Sequence, residues 1–190
     1  MTKGAHGMET KDHYYLSKNL AGAMQLGKLN KILFILGNLI PDINPFSYIT
    51  DAGGSRFSGH SFTYRKTFMK SALEKRHAGR RFTWYQTGIL THYLADSFTR
   101  PHNEAFQYSL KDHVEYEHQL HQTLAKFLHR NLASAIPVEQ PSSQLSAKQL
   151  DARHAAYMME SRGTLEDCRY ILQTVVEACH LTLDINCPRL

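Results

Sequence analysis

Apolar residues recur at helical intervals along most of this chain. Asp12 to Leu26 (DHYYLSKNLAGAMQL) and Lys28 to Leu36 carry them three and four positions apart, which predicts two amphipathic helices. The segment Gly37 to Gly59 collects Pro41, Pro45, Gly53, Gly54 and Gly59, and reads as an ordered but irregular loop. A third helix is expected from about Ser61 to His77. Arg80 to Ser97 (RRFTWYQTGILTHYLADS) has aromatic and aliphatic side chains around much of its circumference, the pattern of a central helix buried on most sides. Pro101 ends it, and Lys111 to Leu132 forms another amphipathic helix. A Pro/Ser/Gln-rich connector, Ser134 to Ser146, leads to two closing helices, Ala147 to Ser161 and Leu165 to Leu181. No strand alternation and no internal repeat appear. The expected fold class is all-α: six or seven helices in one bundle-like domain over 1–190, with a flexible tail at 1–12 and the 134–146 connector inside the domain.

Composition narrows the setting. With 190 residues, 42% hydrophobic and 21% charged, the chain is long enough to bury a core and excludes disordered, collagen-like and coiled-coil classes. The most apolar stretch, Leu29 to Ile40, is interrupted by Gly37 and Asn38 and falls short of the roughly 20 residues that a membrane span needs. The N-terminal MTKGAHGMETKDHYY lacks an apolar signal region, so a cytoplasmic location, peripheral to a membrane at most, is expected. Cys168, Cys179 and Cys187 have no paired spacing and read as reduced thiols. Lys+Arg number 22 against 17 Asp+Glu, for a net charge of +5, and twelve histidines stand outside that sum.

The histidines carry the chemistry. His92 and Asp96 lie four apart, on one face of the central helix, where both can reach one cation. His113 and Glu117 repeat that spacing on the next helix, and His102 stands between the two pairs after Pro101. Asp42 follows Pro41, His60 closes the irregular loop, and His13 lies near the start of the first helix. These are nitrogen and oxygen donors of the kind zinc accepts, spread over at least four elements. A carboxylate in the apolar surroundings of Asp96 needs a strong partner, and a cation supplies one. His118, His121 and His129 read as solvated or supporting, with His121 placed at i+8 from His113 to compete as a ligand or to orient Glu117. His77, His154 and His180 are given no role.

The run G-N-L-I-P-D, a downstream histidine, then H-Y-L-A-D-S-F-T-R-P-H and H-V-E-Y-E resembles the bacterial zinc-dependent phospholipase C family, whose all-α fold is related to the P1/S1 nucleases. The core His92-x-x-x-Asp96-x-x-x-x-Pro101-His102 agrees with the family spacing position by position, and the likeness runs from His13 to Glu117. The resemblance implies two or three Zn²⁺ ions. It places Asp42, His60, His92 and Asp96 on the first, with Asp96 bridging; His102, His113 and Glu117 on the second; and His13 with Asp96 on the third. Secreted members complete the third site with an N-terminal tryptophan, whereas the one tryptophan here is Trp84, leaving His6 or water for that place.

The implied activity is phosphodiester hydrolysis by a zinc-activated water, with Asp42 both ligand and general base. Phosphoester substrates are expected, phospholipid at a membrane surface first among them. Phe46, Tyr48 and Phe57 in the irregular loop suit contact with lipid. The same aromatics suit base stacking in a P1/S1-like nuclease, so nucleic acid enters only as substrate. A small-molecule phosphoesterase and a non-catalytic metal-binding helical module are the other readings. Arg56, Arg65, Lys66 and Arg100 read as solvated surface charges.

Overall fold

The structure, a computed structural model, describes residues 8–44, 61–103, 109–131, 136–137, 145–179 and 181–182. Within them lie seven α-helices: α1 (Thr10–Ala23), α2 (Lys28–Ile43), α3 (Phe62–His77), α4 (Trp84–Asp96), α5 (Leu110–Asn131), α6 (Ala147–Glu160) and α7 (Thr164–Ala178). A 3₁₀ turn at Arg100–His102 separates α4 from α5. The all-α architecture expected from the sequence is the one observed. Its one addition is a pair of two-residue strands, β1 (Ile136–Pro137) and β2 (Leu181–Thr182), which run antiparallel and place Ile136 opposite Thr182. No helix among the described residues is long and apolar enough to cross a membrane.

Several boundaries differ from expectation; α1, for one, ends at Ala23 rather than Leu26, with Met24 as its C-cap. α1 begins at Thr10 and Met8 is buried in the core, so the ordered chain reaches into the 1–12 tail. α4 starts at Trp84 rather than Arg80 because Thr83 makes a capping box with Gln86, its hydroxyl accepting the Gln86 N–H while Gln86 accepts the Thr83 N–H. α7 ends at Ala178, and Leu181 belongs to β2. The largest difference is α2, which runs on through Gly37, Asn38 and Pro41 to Ile43. Pro41 forfeits one main-chain hydrogen bond, but it does so in the last turn while its ring is buried, so helix persists where the Gly/Pro content argues for loop.

α4 is central, packed against α2, α3 and α7, and from Thr87 to Asp96 every residue except Ile89 is buried. Leu90, Leu94 and Phe98 join Leu16, Leu20, Phe34, Leu120, Ile171 and Val175 in one apolar core. The α2–α4 crossing is set by glycine. A Cβ on Gly37 would stand 2.1 Å from the Tyr85 carbonyl oxygen, and one on Gly88 would stand 2.3 Å from the Phe34 carbonyl oxygen. Backbone therefore meets backbone at this crossing.

Because both clashes are with main chain, no side-chain rotation relieves them. Gly88→Ala is expected to lose at least about 1–3 kcal/mol of stability, the range for overpacking, read as a lowered midpoint in thermal unfolding followed by circular dichroism. An unchanged midpoint would contradict the close crossing.

Candidate metal centre

The glycine crossing aligns two stripes of side chains. Along α2, Phe34, Asn38 and Asp42 follow one another at four-residue steps; along α4, Gly88, His92 and Asp96 do the same. With Gly37 against Gly88, the next turns bring Asn38 and Asp42 to His92. The His92 Nδ1–H donates to the Asn38 carbonyl oxygen at 2.8 Å, which fixes the ring and turns its Nε2 inward. That Nε2 lies 3.2 Å from Asp96 Oδ2 and 3.6 Å from Asp42 Oδ1.

α1 delivers the next group. His13 is fully buried, stacks on His92 with ring centroids 3.9 Å apart, and places Nε2 3.0 Å from Asp96 Oδ1. His102 Nδ1 approaches the same oxygen at 3.5 Å. Asp96 thus turns one oxygen to His92 and the other to His13 and His102. Ligating atoms of His13, Asp42 and His92 lie within 4.8 Å of one another, a spacing that suits a metal ion.

Electrostatics and hydrogen bonding couple the carboxylates and imidazoles of the cluster to one another. Burial opposes ionisation of Asp96, but His102, His92 and His13 outweigh it and hold the carboxyl well below its usual range. Burial also lowers His13, yet the Asp96 and Asp42 carboxylates prevail and its pKa is raised. His92 is lowered, first by burial and then by the neighbouring His13. With Nδ1–H engaged by Asn38, a neutral His92 points a lone pair at two carboxylates, an arrangement that a cation between them reconciles. Two buried polar atoms of these residues have no hydrogen-bond partner among the described residues: His13 Nδ1 and Asn38 Oδ1.

His102 is held from two sides. The Thr99 hydroxyl donates to the Asp96 carbonyl at 2.8 Å and meets His102 Nδ1 at 3.0 Å. Asn103 donates to the Ser97 and Thr99 carbonyls, and its Oδ1 accepts from His154 Nε2 of α6 at 2.7 Å. On the other side the Arg100 N–H donates to the Tyr116 hydroxyl, which donates to buried Asp167 at 2.7 Å. Asn38, Asn103, His154, Tyr116 and Asp167 are supports that the sequence reading did not single out. His154 corrects it directly: it stacks on Phe62 with centroids 3.4 Å apart and braces the turn before α5.

His121 and Glu117 of α5 both reach toward α1. His121 hydrogen-bonds Asp12 of α1 through Nδ1. Glu117 is half-buried on α5, near enough to α1 to act on Lys11, whose pKa is raised first by Glu9. His60, His6, Arg56, Phe46, Tyr48 and Phe57 lie outside the described residues, and the side chain of His113 on α5 does too. Lys66 pairs with Asp151 at 3.1 Å and Arg65 lies 4.6 Å over the Tyr93 ring, so neither is merely solvated.

A family model described as zinc dependent phospholipase C matches residues 12–168. The chain belongs to that family. Comparison with curated proteins and with solved structures gave no match. Every cluster residue of this phospholipase C-family chain, from His13 to His102, falls inside the matched span, as do His154 and Asp167.

Burial and the nearby Lys66 depress His154 to about 4 from its ordinary 6.5, so the folded ring stays neutral while the unfolded ring protonates first as pH falls. Its contribution is complete above pH 6.5 and is lost on the way to pH 4. Asp167, raised by burial to about 6, pulls the opposite way, so the test must isolate one site. The stability difference between the unaltered protein and His154→Gln should narrow by at most about 3 kcal/mol over that window, less for solvent screening of the half-buried ring. Chemical denaturation at a series of pH values measures it, and a constant difference would refute the assignment.

Proposed function

We propose that this chain is a zinc-dependent phosphoesterase that hydrolyses a phosphodiester, phospholipid or related, in the manner of a phospholipase C. The observation that carries the reading is the convergence of His13, Asp42 and His92 on one point beside Asp96, in a chain of a zinc-dependent family. His13, Asp42, His92, Asp96 and His102 would hold the metal, joined by His60, His113 and Glu117 on the strength of the family spacing. Zinc, when bound, supplies Lewis acidity at the phosphoryl group and favours ionised water at neutral pH.

The protein's own groups do the rest. Asn38 keeps His92 in one tautomer and orientation, so that Nε2 serves as donor throughout. Asp96, ionised and fully buried, holds the surrounding imidazoles at fixed distances and presents an oxygen to each side of the cluster. Asp42, at the C-terminal end of α2 with a side chain 5% exposed, is the general base: its carboxylate takes the proton of the water that attacks phosphorus, the P–O bond to the leaving group breaks, and the departing alkoxide takes up a proton from solvent to become the alcohol. The His154 and Tyr116 braces keep the Arg100–His102 turn, and with it His102, from moving away from Asp96.

Metal analysis of protein purified without a histidine tag should find about two or three zinc ions per chain, the number eight donors supply at three or four each. Asp42→Asn should lower kcat by about 10²–10⁴ with helical content unchanged, the usual weight of a general base. Asp96→Asn should lose both zinc and activity. Assays on phosphatidylcholine, a chromogenic phosphocholine diester, single-stranded DNA and a 3′-nucleotide separate phospholipase from nuclease and monoesterase. Absence of zinc, or full turnover by Asp96→Asn, would overturn the reading.

A further inference from the structure

The metal cluster occupies the C-terminal half of α4; the other end of the same helix borders a different cavity. It is a half-open cavity of about 520 Å³ lined by Arg76, Arg80, Arg81, Phe82, Trp84 and Cys179, with no carboxylate among its described lining residues. Trp84 precedes His92 and Asp96 by eight and twelve residues, about 12 and 18 Å along the helix, and Thr87, which also lines the cavity, stands about 7.5 Å from His92 along it.

Three guanidinium groups line one cavity, and their summed field favours an anion that enters it. The chain concentrates charge here: Lys75 to Arg81 (KRHAGRR) holds four Lys or Arg and no acid. The corner is held rigid by main chain. Gly79, with φ at 79°, takes the left-handed conformation that ends α3, and Arg80 N–H donates to the Lys75 carbonyl at 3.0 Å, a Schellman cap that folds the two following arginines back over the helix end. Arg76 is pinned by its Nη1 donating to the Ala178 carbonyl at 2.7 Å, which carries the site across to the end of α7. The N-terminus of α4, opening on the same cavity, adds the positive end of its dipole.

We infer that this α3–α4 corner is a second binding site, for a phosphate-bearing ligand, separate from the metal cluster at the far end of α4. The arginine forks match phosphate oxygens. Phe82 and Trp84, both half-buried, give the organic part of the ester an apolar wall. Nothing in this assignment depends on zinc or on catalysis.

Trp84 is the one tryptophan of the chain and lines the cavity, so its fluorescence reports this site. Full-length protein is titrated with glycerol phosphate and, separately, with phosphatidylcholine vesicles containing phosphatidic acid. A saturable emission change with glycerol phosphate assigns a soluble phosphate ester; a change with vesicles alone assigns a lipid headgroup; either supports the site. In the Arg80→Gln, Arg81→Gln double variant the apparent affinity should fall at least about tenfold, the weight of one lost charge-assisted contact. Phosphate held at the metal cluster would respond equally in both proteins. Should the double variant lose helical content, the single change Arg81→Gln at an exposed position carries the comparison. No emission change with either probe, or an affinity the arginine changes leave alone, overturns the inference.

Discussion

Two glycines in contact decide where the chemistry of this protein can be. Gly37 and Gly88 let α2 and α4 approach until each backbone touches the other, and a methyl group on either would enter a carbonyl oxygen. That approach is shorter than any pair of side chains allows, and everything one turn further along the two helices inherits it. Asn38 reaches His92 with its main-chain carbonyl because the helices are this close. Asp42, a turn beyond Asn38, then arrives beside the same imidazole. The cluster is in this sense a continuation of a packing contact, and its geometry is as rigid as that contact.

Around this axis the remaining groups are brought by elements that have other reasons to be there. α1 buries Leu16 and Leu20 in the core, and the face that does so also buries His13 one turn earlier. His102 sits on a turn too short to hold itself. Its position depends on Asn103 and His154 from α6 and on Tyr116 and Asp167 from α5 and α7. The closing helices therefore serve as walls that hold the turn, which gives the C-terminal third of the chain a purpose its sequence pattern does not announce. Asp167 shows the cost of that arrangement: burial raises its pKa to about 6 even with hydrogen bonds from Ser161 and Tyr116.

The parts of this architecture legible in the sequence are those that local spacing encodes. His92 and Asp96 lie on one face because four residues make about one helical turn, and the apolar circumference of 84–96 marks it as central before any partner is known. What depends on distant partners is not encoded in spacing. Gly37 and Pro41 argue for a loop by composition, and only the matching glycine on α4, fifty-one residues away, shows that the chain there is helix built for contact. His154 and His121 look alike as isolated histidines. One is stacked, neutral and tied to Asn103, the other joined to Asp12 across α1 and α5, and these differences arise from long-range neighbours alone. The resemblance to a zinc phospholipase C reached further than periodicity because a family motif stores such long-range pairings.

The two ends of α4 face opposite kinds of charge. At the C-terminal end, carboxylates and imidazoles crowd a buried point where Asp96 remains ionised against the penalty of burial, an arrangement that draws cations. At the N-terminal end, arginines gather around a cavity with no acid among its described walls, an arrangement that draws anions. The helix dipole has the matching sense at both, positive toward the arginine cavity and negative toward the metal cluster. A net charge of +5 by itself chooses no partner. Its distribution along one buried helix says more, because one end is complementary to a cation and the other to an anion.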